Sequence, residues 1–230
     1  MRKLLKNPGF LLFFFILFWF FHSCTSFPPE ATTVPVETAP AETTRVEAPQ
    51  TAPARTIPER HEPSESIMGK GRIPGDKLAL FLERNNPRAD RNYVLTLAFI
   101  YIEEAAAEGV NHDMAFAQMC LETGFLSYGG LVQPEQYNFC GLGAIGPGQP
   151  GEIFPNPRTG VRAHIQHLKA YASEEPLNRE LVDNRFKWVR RGSSPTIHGL
   201  SGTWAADKSY SGKIAAILQR IYDFSDGEIG

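Results

Sequence analysis

The hydrophobic pattern of the chain becomes regular from about Met68 onward. After this residue, apolar side chains recur at the three- and four-residue spacing of amphipathic helices. The clearest case is Asn92 to Glu108, followed by Gly109, which predicts a helix that ends at this glycine. Its apolar stripe consists of Val94, Leu97, Ala98, Tyr101, Ile102 and Ala105.

Three other segments show helical signals. Asp76 to Arg84 follows a Pro-Gly step, and Gly160 to Ala172 carries an apolar stripe. Between them, Asn111 is a plausible N-cap and Gly124 a plausible end of a further helix. Strand-helix-strand alternation is missing from the pattern, so it predicts a mainly α domain without a parallel sheet.

Glu122 lies in the last turn of the helix that Gly124 ends. Free carbonyls and the negative end of the helix dipole lie beside it, and Leu121 and Phe125 offer apolar cover. Both effects favour the protonated carboxyl, as a general acid requires. Gln118 recurs on the same helical face as Glu122. From this segment alone, the alternative is a solvated acid at the end of an ordinary helix.

The N-terminus carries a targeting signal, predicted to span residues 1–23. The apolar run from Phe10 to Phe21 is only about half the roughly 20 residues of a membrane-spanning helix, which favours a signal peptide. Ser23-Cys24 resembles a lipoprotein cleavage box, so we expect Cys24 to become the lipidated first residue. Cleavage by an ordinary signal peptidase and an uncleaved anchor are the alternatives. The positive residues before the run are Arg2, Lys3 and Lys6.

Residues 24–67 are rich in Pro, Thr, Ala and Glu and show no helical or strand period. Such a segment cannot bury enough apolar surface to offset the entropy lost on ordering, so it predicts a disordered tether. Residues 68–230 are then the folded domain. Within it, the stretch from Ser127 to Asn156 is dense in Gly, Pro and Gln and predicts long functional loops.

Composition excludes several functions. The 230-residue chain has a formal net charge of −2, which gives no nucleic-acid footprint, and it has no phosphate-binding glycine loop and no zinc-type cysteine cluster. His164 and His167 lack a third ligand at a recognised spacing, so we expect a structural or polar-groove role, no metal and no cofactor. Cys120 and Cys140 form either a disulfide or two buried thiols.

Two motifs resemble the bacterial cell-wall glucosaminidases of glycoside hydrolase family 73. The first is a Leu-Glu-Ser-Gly step with a later Asn-Phe-Gly step, and the second is a Trp-Ala-x-Asp-x-x-Tyr signature followed by a Lys-Ile helix. This chain departs from the pattern at Thr123, Phe125 and Cys140. The matching residues are Leu121, Glu122, Thr123, Gly124, Asn138, Phe139, Gly141, Trp204, Ala205, Asp207, Tyr210, Lys213 and Ile214.

The resemblance implies a lysozyme-like helical domain with a small, partly β lobe across a substrate groove. It implies that Glu122 is the acid, that Tyr210 holds the substrate acetamido group or a reacting water, and that a second carboxylate lies in the loops. Glu152 is the candidate for this carboxylate and Glu135 the reserve. The implied substrate-binding residues are Asn138, Phe139, Gly141, Trp204 and Asp207.

The sequence therefore predicts an exported, lipid-tethered peptidoglycan hydrolase, an endo-β-N-acetylglucosaminidase that faces the periplasm or cell wall. Its partners would be glycan strands and, through Cys24, a membrane; the sequence does not indicate an oligomeric state. A lytic transglycosylase or muramidase of similar fold is one alternative. A glycan-binding lipoprotein without activity is another.

Overall fold

The computed structural model describes residues 61–146 and 148–227. The predicted signal peptide, Cys24 and most of the predicted tether lie outside these residues. The described part contains five α-helices and one two-stranded antiparallel hairpin. These elements are α1 Gly75–Asn85, α2 Arg91–Glu108, α3 His112–Thr123, α4 Pro157–Ala172, α5 Tyr210–Ser225, β1 Ala144–Gly146 and β2 Gln149–Pro150, with 3-10 turns at Pro134–Gln136, Phe186–Trp188 and Ile197–Leu200.

The ends of α2 and α3 are fixed by the residues that the sequence indicates. α2 ends at Gly109, which has a left-handed φ of 73°. The Asn111 side chain accepts hydrogen bonds from the backbone N–H groups of Asp113 and Met114 at the start of α3. α3 ends at Gly124, also left-handed with a φ of 56°. The predicted caps are therefore confirmed, and the short turn between the helices brings α2 and α3 into contact.

α3 is the central helix of the core. It packs against α2, α4 and α5, and the residues from His112 to Cys120 are all buried. The carboxylate of Asp113 accepts hydrogen bonds from the backbone N–H groups of Arg72 and Ile73 and from the hydroxyl of Tyr222. The start of α3 is thereby fixed to both α5 and the segment before α1, so the other end, with Glu122, has a defined position.

Buried charges hold α4 against α2. The ammonium of Lys169 lies 2.9 Å from a carboxylate oxygen of Glu108, and both side chains are almost fully buried. Glu104 accepts hydrogen bonds from the guanidinium groups of Arg158 and Arg162. Removing one partner of a buried pair leaves an uncompensated charge, so these contacts specify how α4 sits on α2.

The chain between α3 and α4 forms a small lobe around Asn138. The Asn138 amide donates to the backbone carbonyls of Leu142 and Glu152 and accepts from the Leu142 N–H. The two strands pair just beyond this point, with Ala144 opposite Pro150. The predicted mainly α fold with a small irregular and β lobe is confirmed.

The folded part begins before Met68, the predicted boundary. Ile67 is fully buried in the core, and Ser66 pairs with Thr196. An apolar residue in this otherwise polar segment is sufficient to attach it to the domain. The interpretation of residues 61–67 as tether is therefore wrong, while residues 24–60 lie outside the described part. None of the helices within 61–146 and 148–227 is long and apolar enough to cross a membrane.

Candidate active site

A cavity of about 390 Å³ opens beside the C-terminal end of α3. Its floor comes from the last turn of α3, one wall from the Asn138 loop, and another from the segment before α5. Among the described residues that line it, Glu122 is the only carboxylate. The lining residues used below are Glu122, Asn138, Cys140, Gly141 and Trp204.

Two side chains act on the carboxyl group of Glu122. The Tyr210 hydroxyl donates a hydrogen bond to its Oε1, and the Trp204 side chain lies close enough to the carboxyl to lower its pKa. Glu122 is exposed as a residue because it opens onto the cavity, but its carboxyl group is surrounded by protein atoms on its inner side. This partial desolvation raises the pKa of Glu122 above its ordinary value, against the lowering effects of Tyr210 and Trp204.

A chain of buried hydrogen bonds continues behind Tyr210. The Gln118 amide nitrogen lies 2.8 Å from the Tyr210 hydroxyl, and its oxygen lies 3.0 Å from Nε2 of His164. Nδ1 of His164 in turn lies 2.9 Å from the Tyr101 hydroxyl. Gln118, His164 and Tyr101 are fully buried. Their polar groups are therefore satisfied only by one another and by Tyr210.

The carboxylate at one end fixes the direction of every bond in this chain. An ionised Glu122 can only accept, so Tyr210 donates to it, Gln118 donates to Tyr210, and His164 donates from Nε2 to Gln118. Nδ1 of His164 is then free to accept from Tyr101. Burial lowers the pKa of His164 to about 3, so the ring stays neutral with its proton on Nε2.

The two oxygens of Glu122 therefore have different environments. Oε1 accepts from Tyr210, whereas Oε2 lies near Gly141, whose backbone is left-handed with a φ of 69°. A Cβ at Gly141 would lie 3.6 Å from Oε2. Glycine thus keeps the space beside this oxygen open. Because Oε1 accepts from Tyr210, we expect the proton of a protonated Glu122 on Oε2.

A family model connects this geometry to known proteins. The model described as Glucosaminidase, mannosyl-glycoprotein endo-β-N-acetylglucosaminidase, matches residues 98–223, more than half of the chain. The chain belongs to the glucosaminidase family. Membership of this family supports glycoside hydrolase activity. The matched range includes Glu122, Trp204 and Tyr210.

Two individual proteins are also similar to this chain. An uncharacterised protein of Borreliella burgdorferi is 44% identical over 160 residues, which cover 70% of this chain and 78% of the relative. The crystal structure of S. aureus autolysin E in complex with the muropeptide NAM-L-Ala-D-iGlu matches with a TM-score of 0.46 and 14% identity. That match covers 70% of this chain and 74% of the autolysin chain.

Several motif residues of this family member lie at the cavity, but not all face it. Trp204 and Gly141 line the cavity, as the resemblance implies. Asn138 also lines it, yet its amide is engaged in the backbone bonds of the lobe. Phe139 is fully buried against Tyr101, so it supports the site from the core and cannot contact a ligand.

Tyr210 and Asp207 differ from the roles that the resemblance implies. Tyr210 is only 5% exposed, and its hydroxyl is occupied by Glu122 and Gln118. Asp207 is exposed and pairs with Lys213 at 2.7 Å. It also accepts from Ser209, so it organises the start of α5, on which Tyr210 is the first residue.

Neither candidate for the second carboxylate lines the cavity. The Glu152 carboxylate accepts from the Asn184 amide, and its Cγ packs near Gly143. Glu135 lines a neighbouring cleft with Tyr93 and Tyr128, and Tyr128 also lines the cavity that contains Glu122. The structure therefore does not bring Glu152 or Glu135 into the cavity with Glu122.

Other sequence expectations also change. Cys120 and Cys140 are both free, buried thiols, so the disulfide alternative is wrong. Phe125 packs on Phe81 and does not line the cavity that contains Glu122. His167, by contrast, agrees with the structural or polar-groove role expected of it, because it lies 2.7 Å from a carboxylate oxygen of Asp183.

Sequence reasoning missed the supporting role of Gln118, His164 and Tyr101. Gln118 lies one helical turn before Glu122 on the same face, and His164 interrupts an apolar helix. These are the signals that could have found the chain. Nothing in the pattern indicated that α4 brings His164 against α3.

Proposed function

We propose that this protein is a peptidoglycan hydrolase, an endo-β-N-acetylglucosaminidase in which Glu122 is the general acid. The observation that carries the proposal is the asymmetric environment of the Glu122 carboxyl. Tyr210 occupies Oε1, and Oε2 lies near Gly141, which lines the cavity together with Glu122. Family membership and the raised pKa of Glu122 support the same role, because a general acid must hold its proton near the working pH.

In the proposed reaction, a glycan strand binds in the cavity with a glycosidic oxygen near Oε2. Glu122 gives its proton to this oxygen as the bond to the anomeric carbon breaks and an oxocarbenium-like centre develops. The resulting carboxylate keeps the Tyr210 hydrogen bond. Because Gln118 donates to the same hydroxyl, the buried chain polarises Tyr210 toward the new negative charge.

The cationic centre needs stabilisation from a source other than Glu122. Glu122 is the only carboxylate among the described lining residues, and Glu152 lies outside the cavity. We therefore propose that the acetamido group of the substrate stabilises the centre, a route known among glycoside hydrolases. Water then attacks this intermediate, and Glu122 accepts its proton. Both products carry intact hydroxyl ends.

A lytic transglycosylase or muramidase is the second candidate, favoured by the same lone carboxylate. It differs in the ends it produces. A new reducing N-acetylglucosamine end supports glucosaminidase activity, and a new reducing muramic acid end supports muramidase activity. An anhydromuramic end supports transglycosylase activity. Mass spectrometry of fragments released from purified peptidoglycan distinguishes them.

The test of the acid is Glu122→Gln. Glutamine keeps the acceptor for Tyr210 but has no acidic proton, so wall hydrolysis should fall by about 10²- to 10⁴-fold or more. The measurement is the loss of turbidity of purified peptidoglycan. Glu135→Gln is the matched control and should retain activity, because its carboxylate lies at a different cleft.

The role of Glu122 would be refuted if the Glu122→Gln protein reduced turbidity as fast as the wild type while melting at the same temperature. A wild-type protein without any hydrolysis would instead favour the glycan-binding alternative.

We also propose that the protein is exported and anchored to a membrane through lipid on Cys24. The proposal rests on the apolar run before Ser23-Cys24 in the sequence. Cys24→Ala should leave the protein unlipidated and move it out of the membrane fraction. A variant that remains there, processed as before, would contradict the anchor.

A further inference from the structure

A second cavity adjoins the one that contains Glu122. It has a volume of about 280 Å³ and shares four lining residues with the first cavity, namely Cys140, Gly141, Ala144 and Trp204. Its outer part is lined by Tyr171, Arg185 and Trp188. A ligand that extends from the first cavity past Trp204 therefore enters the second.

Arg185 and Trp188 form one surface in this second cavity. The guanidinium carbon of Arg185 lies 4.8 Å from the centre of the Trp188 ring. Trp188 is 68% exposed, although a large apolar ring in water carries a free-energy cost. The stacked pair thus offers a broad apolar face and a planar cation to the same ligand.

The charge of Arg185 has no acidic partner in the part of the chain that the structure describes. Asp183 is buried and is bonded to His167, and it accepts from the backbone N–H of Arg185. Glu152 is near the Arg185 side chain at Gly143, but its carboxylate accepts from Asn184 and forms no ion pair within 4.0 Å. The guanidinium is therefore available to an anion from outside.

We propose that the second cavity is a subsite for a sugar that carries a carboxylate substituent. Arg185 binds the carboxylate through its paired N–H groups, and Trp188 packs against the sugar ring. The proposal rests on the proposed function, because the shared wall makes the occupant the next unit of the strand cleaved at Glu122. A neutral amino sugar would pack against the Trp188 ring but would form no ion pair with Arg185.

The carboxylate can come from two sources, the lactyl group of the sugar or a peptide attached to it. The test uses Glu122→Gln protein, which is designed not to cleave, and calorimetric titration with three strand fragments. The first fragment has free lactyl carboxylates, the second has the same carboxylates as methyl esters, and the third carries stem peptides on the lactyl groups.

The carboxylate fragment should bind about tenfold more tightly than its methyl ester, the lower end for a charge-assisted hydrogen bond at a partly exposed site. Adding Arg185→Gln should remove this preference. Adding Lys187→Gln should retain it, because Lys187 lies 5.8 Å from the Trp188 ring but does not line the cavity. Tight binding of the peptide fragment alone would also support the subsite and assign the carboxylate to the peptide.

The proposal is overturned if neither acidic fragment binds more tightly than the ester, or if the preference persists after Arg185→Gln. Trp188→Leu should weaken all three fragments alike, and a change in preference would contradict its role as a neutral platform. Wild-type hydrolysis of peptidoglycan, measured separately, keeps the two proposals distinct. Hydrolysis without any carboxylate preference refutes the subsite alone, and absent hydrolysis refutes the proposed function.

Discussion

The strongest prediction concerns Tyr210→Phe, which deletes one hydroxyl and keeps the buried ring. In the native protein this hydroxyl donates to Oε1 of Glu122 and accepts from Gln118. Its donation stabilises the ionised carboxylate and lowers the pKa of Glu122. Without this hydrogen bond, less remains to counter the raising effect of desolvation. The pKa of Glu122 should therefore rise further in the variant.

The size of this shift follows from the lost hydrogen bond. A hydrogen bond to a charged group contributes about 1.5 to 3 kcal/mol, and one pKa unit corresponds to about 1.4 kcal/mol. Water that enters the cavity can donate a hydrogen bond to Glu122 and compensates for part of the loss. We therefore expect the pKa of Glu122 to rise by about one unit. A general acid works only while protonated. The alkaline limb of kcat/KM should therefore move to higher pH by about one unit.

The assay is the pH dependence of kcat/KM for wall hydrolysis, measured together with thermal melts. Tyr222→Phe is the matched control, since Tyr222 is also buried on α5 and donates to a buried carboxylate, that of Asp113. Both variants should lose about 1 to 3 kcal/mol of stability, but only Tyr210→Phe should move the alkaline limb. An unmoved limb, or one shifted to lower pH, would refute the assignment of Tyr210 as a donor to the acid.

Two further predictions concern packing. Gly160→Ala should destabilise the fold by about 3 kcal/mol or more in urea unfolding, because the new Cβ would lie 1.8 Å from the backbone oxygen of Tyr137, which cannot rotate away. Gly212→Ala is the control, because a Cβ at Gly212 would meet open space, and it should add up to about 1 kcal/mol to the free energy of unfolding. A similar loss of stability in both variants would contradict the predicted clash between position 160 and Tyr137. Cys120 and Cys140 are free thiols, so a thiol reagent should label each of them in denaturant without prior reduction. The melting temperature should be the same with and without reductant. Labelling only after reduction would reveal a disulfide.

The helices could be predicted because their signals are local. Asn111 and Gly124 act on adjacent backbone groups, so the sequence places α3 and Glu122 within one residue of their observed position. The family motif implies that Tyr210 lies near Glu122, but the direct hydrogen bond between them is a finding of the structure. No periodicity connects two residues on helices that lie far apart in the chain.

The loop residues could not be placed from the sequence. Glu152 and Glu135 were chosen because acids in a functional loop are candidates, but position along a loop does not determine direction. The Asn138 amide fixes the lobe through bonds to the carbonyls of Leu142 and Glu152, and this arrangement leaves the Glu152 side chain beside Asn184. Ile67 was missed for a related reason, since one buried apolar residue makes no pattern.

The separation of the site residues along the chain determines when Glu122 reaches its final environment. Glu122 and Tyr210 are 88 positions apart, and Gln118 and His164 are 46 apart. Chains are synthesised from the N-terminus, so the acid exists long before α5 can supply the hydroxyl beside it. A nascent or C-terminally truncated chain therefore has Glu122 without Tyr210, and the proposed acid reaches its final hydrogen-bonded environment only after the last helix has docked.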